Sequence, residues 1–147
     1  LPAFGKVRRI ASHTSDQSAF GMAYSQDELA TQKYSGDYDA AQTSSSDKEV
    51  KITLTPKSGK TTTYGKIEMT IAKDHNVPTE IKYYNSDSKL VKTETRTGYT
   101  SESDVWTPGT LKMVDHTKNL TTTFTRKKVK VNEAIADDVF SKRSLEN

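Results

Sequence analysis

With 147 residues and a formal net charge of +3, the chain is about one domain long. Only 32% of its residues are hydrophobic and 28% are charged, so it cannot build a thick two-sided core. It has no cysteine, which excludes disulfide scaffolds, thiolate zinc sites, iron–sulfur clusters and cysteine nucleophiles, and no apolar run reaches the roughly 18 residues of a membrane helix.

The first residues, Leu1-Pro2-Ala3-Phe4-Gly5, lack the basic start and apolar stretch of a signal peptide. Any export signal is therefore expected to have been removed or to lie outside this chain. Lys6–Ser12 reads as a first strand. Ser25 followed by Asp27-Glu28-Leu29 predicts a short helix, with Ser25 as N-cap and acids in the first turn. A strand is predicted at Tyr34–Thr43, and the polar run Ser44-Ser45-Ser46-Asp47 reads as a loop. Val50, Ile52 and Leu54 then alternate with Lys51, Thr53 and Thr55, and Ile67, Met69 and Ile71 alternate with Glu68, Thr70 and Ala72. This period of two marks a sheet with one buried face. Further strands follow at Thr79–Tyr84, Leu90–Thr97, Thr110–Val114, Leu120–Arg126 and Val129–Val131, and a helical turn is predicted around Asp137-Asp138-Val139-Phe140.

Ser and Thr make up about a quarter of the chain, with runs such as Thr61-Thr62-Thr63, which favours strands over helices. The connections are short, at Lys57–Lys60, Lys73–Asn76, Asn85–Ser88 and Asp115–Asn119. Parallel crossovers need a dozen residues or more, so successive strands are expected to be antiparallel neighbours in a meander. A long meander with one apolar face must curl, close or be covered. Predicted helix is too scarce to cover it, so either the face lines a cavity or part of the covering structure lies outside this chain.

No constellation in the sequence points to catalysis. His13, His75 and His116 are far apart and show no metal-ligand spacing. Asp37 and Asp39 fit a solvated strand edge, and Asp137-Asp138 the acidic start of a helical turn. There is no nucleophile elbow, S-x-x-K motif or phosphate loop, so neither a cofactor nor a metal is expected. Asn119-Leu120-Thr121 matches a glycosylation sequon, a pattern short enough to arise by chance. The basic clusters Arg8-Arg9 and Arg126-Lys127-Lys128 are not interleaved with aromatics, which argues against nucleic-acid binding. Trp106 precedes Thr107-Pro108 and fits a packing residue better than a ligand anchor.

Landmarks along nearly the whole chain resemble the outer-membrane lipoprotein-sorting protein family, relatives of the LolA and LolB carriers. They are Leu1-Pro2 with Gly5-Lys6-Val7-Arg8-Arg9-Ile10; Gly21, Tyr24-Ser25 and Asp27-Glu28-Leu29; Leu54-Thr55-Pro56-Lys57 and Tyr64-Gly65-Lys66-Ile67; Pro78, Ile81 and Tyr83-Tyr84; Trp106-Thr107-Pro108 with Leu111-Lys112-Met113; and Ile135, Asp137, Phe140 and Leu145. The resemblance implies a mainly β fold, an open and curved antiparallel half-barrel with one or two short helices, spanning residues 1–147 as a single domain. It further implies that the family's N-terminal helix and first strands precede Leu1. Ala23 stands where the family pattern leads one to expect an acid, so no role for such an acid carries over. The edge near Lys6–Ser12 would then be raw, and a second copy could pair with it to give a homodimer.

By implication the chain is a non-catalytic carrier in a periplasmic or otherwise extracytoplasmic space. Its partners would be lipid acyl chains or lipoproteins, together with a membrane-bound envelope partner. The alternative is an envelope protein-interaction or lipoprotein-sensing module without lipid cargo. Parity names the candidate ligand-binding residues: Ile52, Leu54, Ile67, Met69 and Ile71, then Ile81 and Tyr83, and finally Leu111, Met113 and Phe124. Val50 and Leu120 share the same parity. Unbranched Met69 and Met113 suit a face that accepts variable chains.

Overall fold

The computed structural model describes residues 18–30 and 33–141. Alternation becomes structure in β2 (Glu49–Pro56), β3 (Lys66–Ala72), β4 (Val77–Tyr84) and β5 (Leu90–Thr97), flanked by β1 (Tyr38–Ser45), β8 (Thr110–Asp115) and β9 (Leu120–Thr125). These seven strands form one open antiparallel sheet in the order β1-β2-β3-β4-β5-β8-β9, the meander that the short turns require. A two-stranded ribbon, β6 (Thr100–Glu102) with β7 (Val105–Thr107), interrupts the connection from β5 to β8.

Three boundaries differ from the sequence reading. Tyr34–Gly36 is a 3-10 turn rather than the start of a strand, and β1 begins at Tyr38 and runs through Ser44 and Ser45. Pairing with β2 holds those serines extended, because a partner strand satisfies their backbone better than a loop would. Val129–Val131 is not a strand: it has no sheet partner among the described residues, and alternation without a ladder does not make one. The predicted strand at Lys6–Ser12 lies outside the described residues, as does His13.

Helix is confined, among the described residues, to α1 (Gln26–Leu29) and to the 3-10 turns Ala19–Gly21, Tyr34–Gly36 and Asp137–Phe140. Ser25 caps α1 as expected. Its hydroxyl accepts from the Glu28 N–H at 3.3 Å, and its own N–H donates to Glu28 Oε2 at 2.6 Å, a complete capping box.

Register places the apolar residues on one face. Leu54 pairs with Ile67 and Ile67 with Tyr83, while Ile52 pairs with Met69 and Met69 with Ile81. Across β5 the same rows continue through Lys92 to Asp115 and through Glu94 to Met113. The opposite face carries Lys66, Glu68, Lys82 and Glu80 in short ion pairs, as a solvated face should. Pro78 pairs with Ile71 beside a bulge between β3 and β4, a kind of position to which proline is confined within sheets.

Candidate functional site: the inner face of the sheet and its strap

The inner face is covered, though by little helix. Residues 18–30 form a strap across it: Ala19, Ala23, Tyr24 and Ser25 are buried, and Ala23 and Tyr24 pack into one cluster with Leu54, Tyr64, Ile67, Ile81, Tyr83 and Met113. A bridge between Ser18 and Ser25 closes the strap on itself, and Phe20 at its tip has φ 53° and is 70% exposed. The Ala23 N–H donates to Thr122 Oγ1 on β9 at 2.9 Å, and the Tyr24 ring meets Phe124 with centroids 5.3 Å apart. An irregular segment can cover a sheet in this way because its polar backbone finds partners in the sheet's own side chains.

Glu28 fastens the other end. Its side chain is 1% exposed, accepts a hydrogen bond from the Tyr64 hydroxyl and takes Lys92 Nζ at 2.9 Å and 3.1 Å. On the same strand as Lys92, Glu94 is buried and receives Arg96 Nε at 2.5 Å. Buried Asp115 Oδ1 accepts from the Thr117 hydroxyl and from the Thr117 and Lys118 N–H groups. Burial acts to raise the Asp115 pKa, but those hydrogen bonds and nearby Lys92 outweigh it and hold the carboxyl below its ordinary range.

Tyrosines surround these charges. Burial first, and then the neighbouring carboxylates, push Tyr24 and Tyr64 above the ordinary phenol value, and burial does the same to Tyr83. Burial likewise raises Tyr34, and the Tyr38 hydroxyl donates to the Tyr64 carbonyl at 3.2 Å. Among the described residues the Tyr24 hydroxyl is buried without a hydrogen-bond partner. Beside the strap a cleft of about 340 Å³ opens between Tyr34, Tyr38, Tyr64 and the threonines Thr61 to Thr63.

The ten residues singled out by parity lie on this inner face but fall into two groups. Leu54, Ile67, Ile81, Tyr83 and Met113 are buried under the strap. Ile52, Met69 and Phe124 are partly buried at its margin, and Ile71 and Leu111 are likewise half-buried. Sequence reasoning missed Lys92, Glu94 and Arg96 as partners in the charge pairs of this site and Asp115 as a buried, hydrogen-bonded carboxylate, since charged residues in a strand read as its solvated side. It also missed Tyr24 and Glu28 as their neighbours. The one legible sign was the capping box, which fixes Glu28 locally but says nothing of Lys92.

The remaining candidates lie elsewhere. Asp37 belongs to the turn before β1 and pairs with Lys60 at 3.0 Å. Trp106 is half-buried, with its ring stacked on His75 at 3.6 Å and 12°, which ties the β6–β7 ribbon to the β3–β4 turn. Exposed His116 contacts Thr93 Oγ1 at 2.9 Å. Among the described residues no cluster of three His, Cys, Asp or Glu could hold a metal.

The open, antiparallel sheet matches the LolA-like fold, and solved structures share it. The chain is similar to a putative outer membrane lipoprotein-sorting protein domain from Vibrio parahaemolyticus, with a TM-score of 0.84 and 21% identity over 100% of this chain and 64% of that one. It is also similar to a DUF1329 family protein from Desulfovibrio piger, with a TM-score of 0.81 and 21% identity over 99% of this chain and 62% of that one. A LolA superfamily protein from Nitrosomonas europaea gives a TM-score of 0.61 and 18% identity over 89% of this chain and 60% of that one. The chain thus spans somewhat less than two thirds of these relatives. By sequence, no curated protein matches. A family model described as an uncharacterized protein matches residues 1–147, and the chain belongs to that family.

Proposed function

We propose that the chain is a non-catalytic carrier module of an extracytoplasmic, periplasmic-type compartment that holds lipid or lipoprotein acyl chains on its inner face. The observation that carries this reading is the half-open apolar margin, Ile52, Met69, Ile71, Leu111 and Phe124, continuous with the strap-covered centre. Burial of an acyl chain is worth about 0.8 kcal/mol per methylene, so ten methylenes supply roughly 8 kcal/mol before ordering costs. A cargo chain longer than the margin displaces the strap and inherits its contacts with Leu54, Ile67, Ile81 and Met113.

Native mass spectrometry of the purified protein tests the reading. A bound mass in the fatty-acid or phospholipid range, lost on denaturation and weakened in Met69→Glu, is the expected result. Equal lipid retention by a folded Met69→Glu variant would refute the use of this face.

A second reading is favoured by the ion pairs Glu28–Lys92 and Glu94–Arg96 within the site. These charges suit a protein surface better than hydrocarbon, as in an envelope interaction or lipoprotein-sensing module without lipid cargo. Cross-linking to one envelope protein, with no lipid in the mass spectrum, supports it.

A further inference from the structure

The charges down the middle of the inner face are fastened in two different ways. Lys92, Glu94 and Arg96 occupy alternate positions of β5, so all three share the inner face. Arg96 is held by Glu94, two residues away on the same strand, and that pair moves with the sheet. Lys92 is held by Glu28 of the strap, with Nζ at 2.9 Å and 3.1 Å from the two carboxylate oxygens. Asp115 stands across the ladder from Lys92, yet its Oδ1 is taken up by Thr117 and Lys118. Among the described residues, then, Lys92 is the inward-facing cation whose ion-pair partner leaves when the strap lifts.

The seat of the Glu28 carboxylate is already built for an anion. Its side chain is 1% exposed, Lys92 supplies the counter-charge, and the Tyr64 hydroxyl and the Ser25 N–H donate to it, the latter at 2.6 Å. A carboxylate buried this deeply needs such charge-assisted donors. The Ser25 N–H goes with the strap, whereas Lys92 and Tyr64 belong to the sheet side and stay behind. The cleft beside the strap is lined by Ser25, Tyr64 and Ile67, so it leads from solvent to this seat. From Lys92 the row Tyr83, Ile67 and Leu54 continues across three strand spacings, about 14 Å of buried apolar surface.

We infer that Glu28 stands in for the head of the ligand: the chain takes an amphiphile with a carboxylate head, which replaces Glu28 at Lys92 and Tyr64 while its acyl tail lies along Tyr83, Ile67 and Leu54. The inference rests on the carrier reading and names the class of lipid carried. A neutral-headed ligand that lifts the strap leaves Lys92 without an anion, whereas a carboxylate restores the pair that was broken. The seat accepts negative charge even with Glu94 and Asp115 buried on the same face, because it holds the Glu28 carboxylate now.

Isothermal titration calorimetry at about pH 8, where carboxylates are ionised, tests this with decanoate and the neutral decanamide, both kept below the concentration at which they aggregate. The probes share a tail and differ in the charge of the head. The parent protein should bind decanoate about tenfold more tightly, the scale of one hydrogen bond to a charged group. Glu28→Gln removes the ion pair that either probe has to break, so both should bind more tightly by the same factor and the ratio should be kept. Glu28→Gln combined with Lys92→Met removes the cation without stranding a carboxylate, and the ratio should fall to about one. Circular dichroism checks that each variant is folded. A parent protein that binds the two probes equally would overturn the inference and leave the carrier reading standing, and so would an undiminished ratio in the folded double variant. Binding of neither probe would remove the carrier reading and the inference with it.

Discussion

Replacing Lys92 with methionine isolates what the Glu28–Lys92 pair does for the strap. Glu28 is 1% exposed and Lys92 13%, so Lys92→Met would leave a buried carboxylate with, among the described residues, only the Tyr64 hydroxyl and the Ser25 N–H as donors. Breaking a buried pair from one side costs about 3–5 kcal/mol, and the two surviving donors place this case near the lower end, about 3 kcal/mol. For a domain of ordinary stability that is roughly a fifth to three fifths of the total, and it moves a urea midpoint by roughly 1–3 M. Adding Glu28→Gln removes the stranded charge and should recover about half of the loss, with the coupling read from the double-mutant cycle. Urea unfolding followed by far-ultraviolet circular dichroism gives all four values. A loss below about 1 kcal/mol for Lys92→Met, with an unchanged slope, would show the pair to be effectively solvated and the strap held by packing alone.

Alkali should act through the tyrosines. Tyr24, Tyr64 and Tyr83 are raised in the fold above the ordinary value of 10.0, and Tyr84 to about 12 by burial and its bond to Glu68. A raised folded value contributes stability below the unfolded pKa, and that contribution is lost as pH climbs from about 10 through the folded values. Tyrosinate absorbance at about 295 nm should therefore rise late and together with unfolding; a smooth titration near pH 10 in a folded protein would contradict it. At the acid end, the lowered Asp115 contributes stability above the ordinary carboxylate range and loses it as pH falls through its folded value. Asp115→Asn should flatten the acid limb of stability against pH, and an unchanged limb would count against the hydrogen bonds from Thr117 and Lys118. A Cβ at position 65 would lie 2.7 Å from the Asn85 carbonyl and 2.8 Å from Ser86 Cα, both backbone. Gly65→Ala should thus cost about 1–3 kcal/mol in urea unfolding. His75→Ala removes the face stacked on the only tryptophan and should shift Trp106 emission to the red; an unmoved spectrum would mean that the ribbon is held elsewhere.

The strands β2, β3 and β4 were legible in the sequence because a half-buried antiparallel strand writes its two faces as alternation, and β5 because turn residues bound a run rich in threonine; short turns leave no other pairing. The capped turn α1 was legible for a similar reason, since Ser25 and Glu28 satisfy each other within three residues. The β6–β7 hairpin was not: its turn residues Ser103 and Asp104 both take positive φ without the usual glycine. Nor was the character of the inner face. Lys92, Glu94 and Asp115 look like solvent-facing charges in the sequence, and only the tertiary structure turns them inward, against a strap whose Glu28, 64 residues before Lys92, supplies the counter-charge. Local pattern sets which residues share a face. What covers that face depends on contacts between distant segments, which leave no periodic trace in the chain.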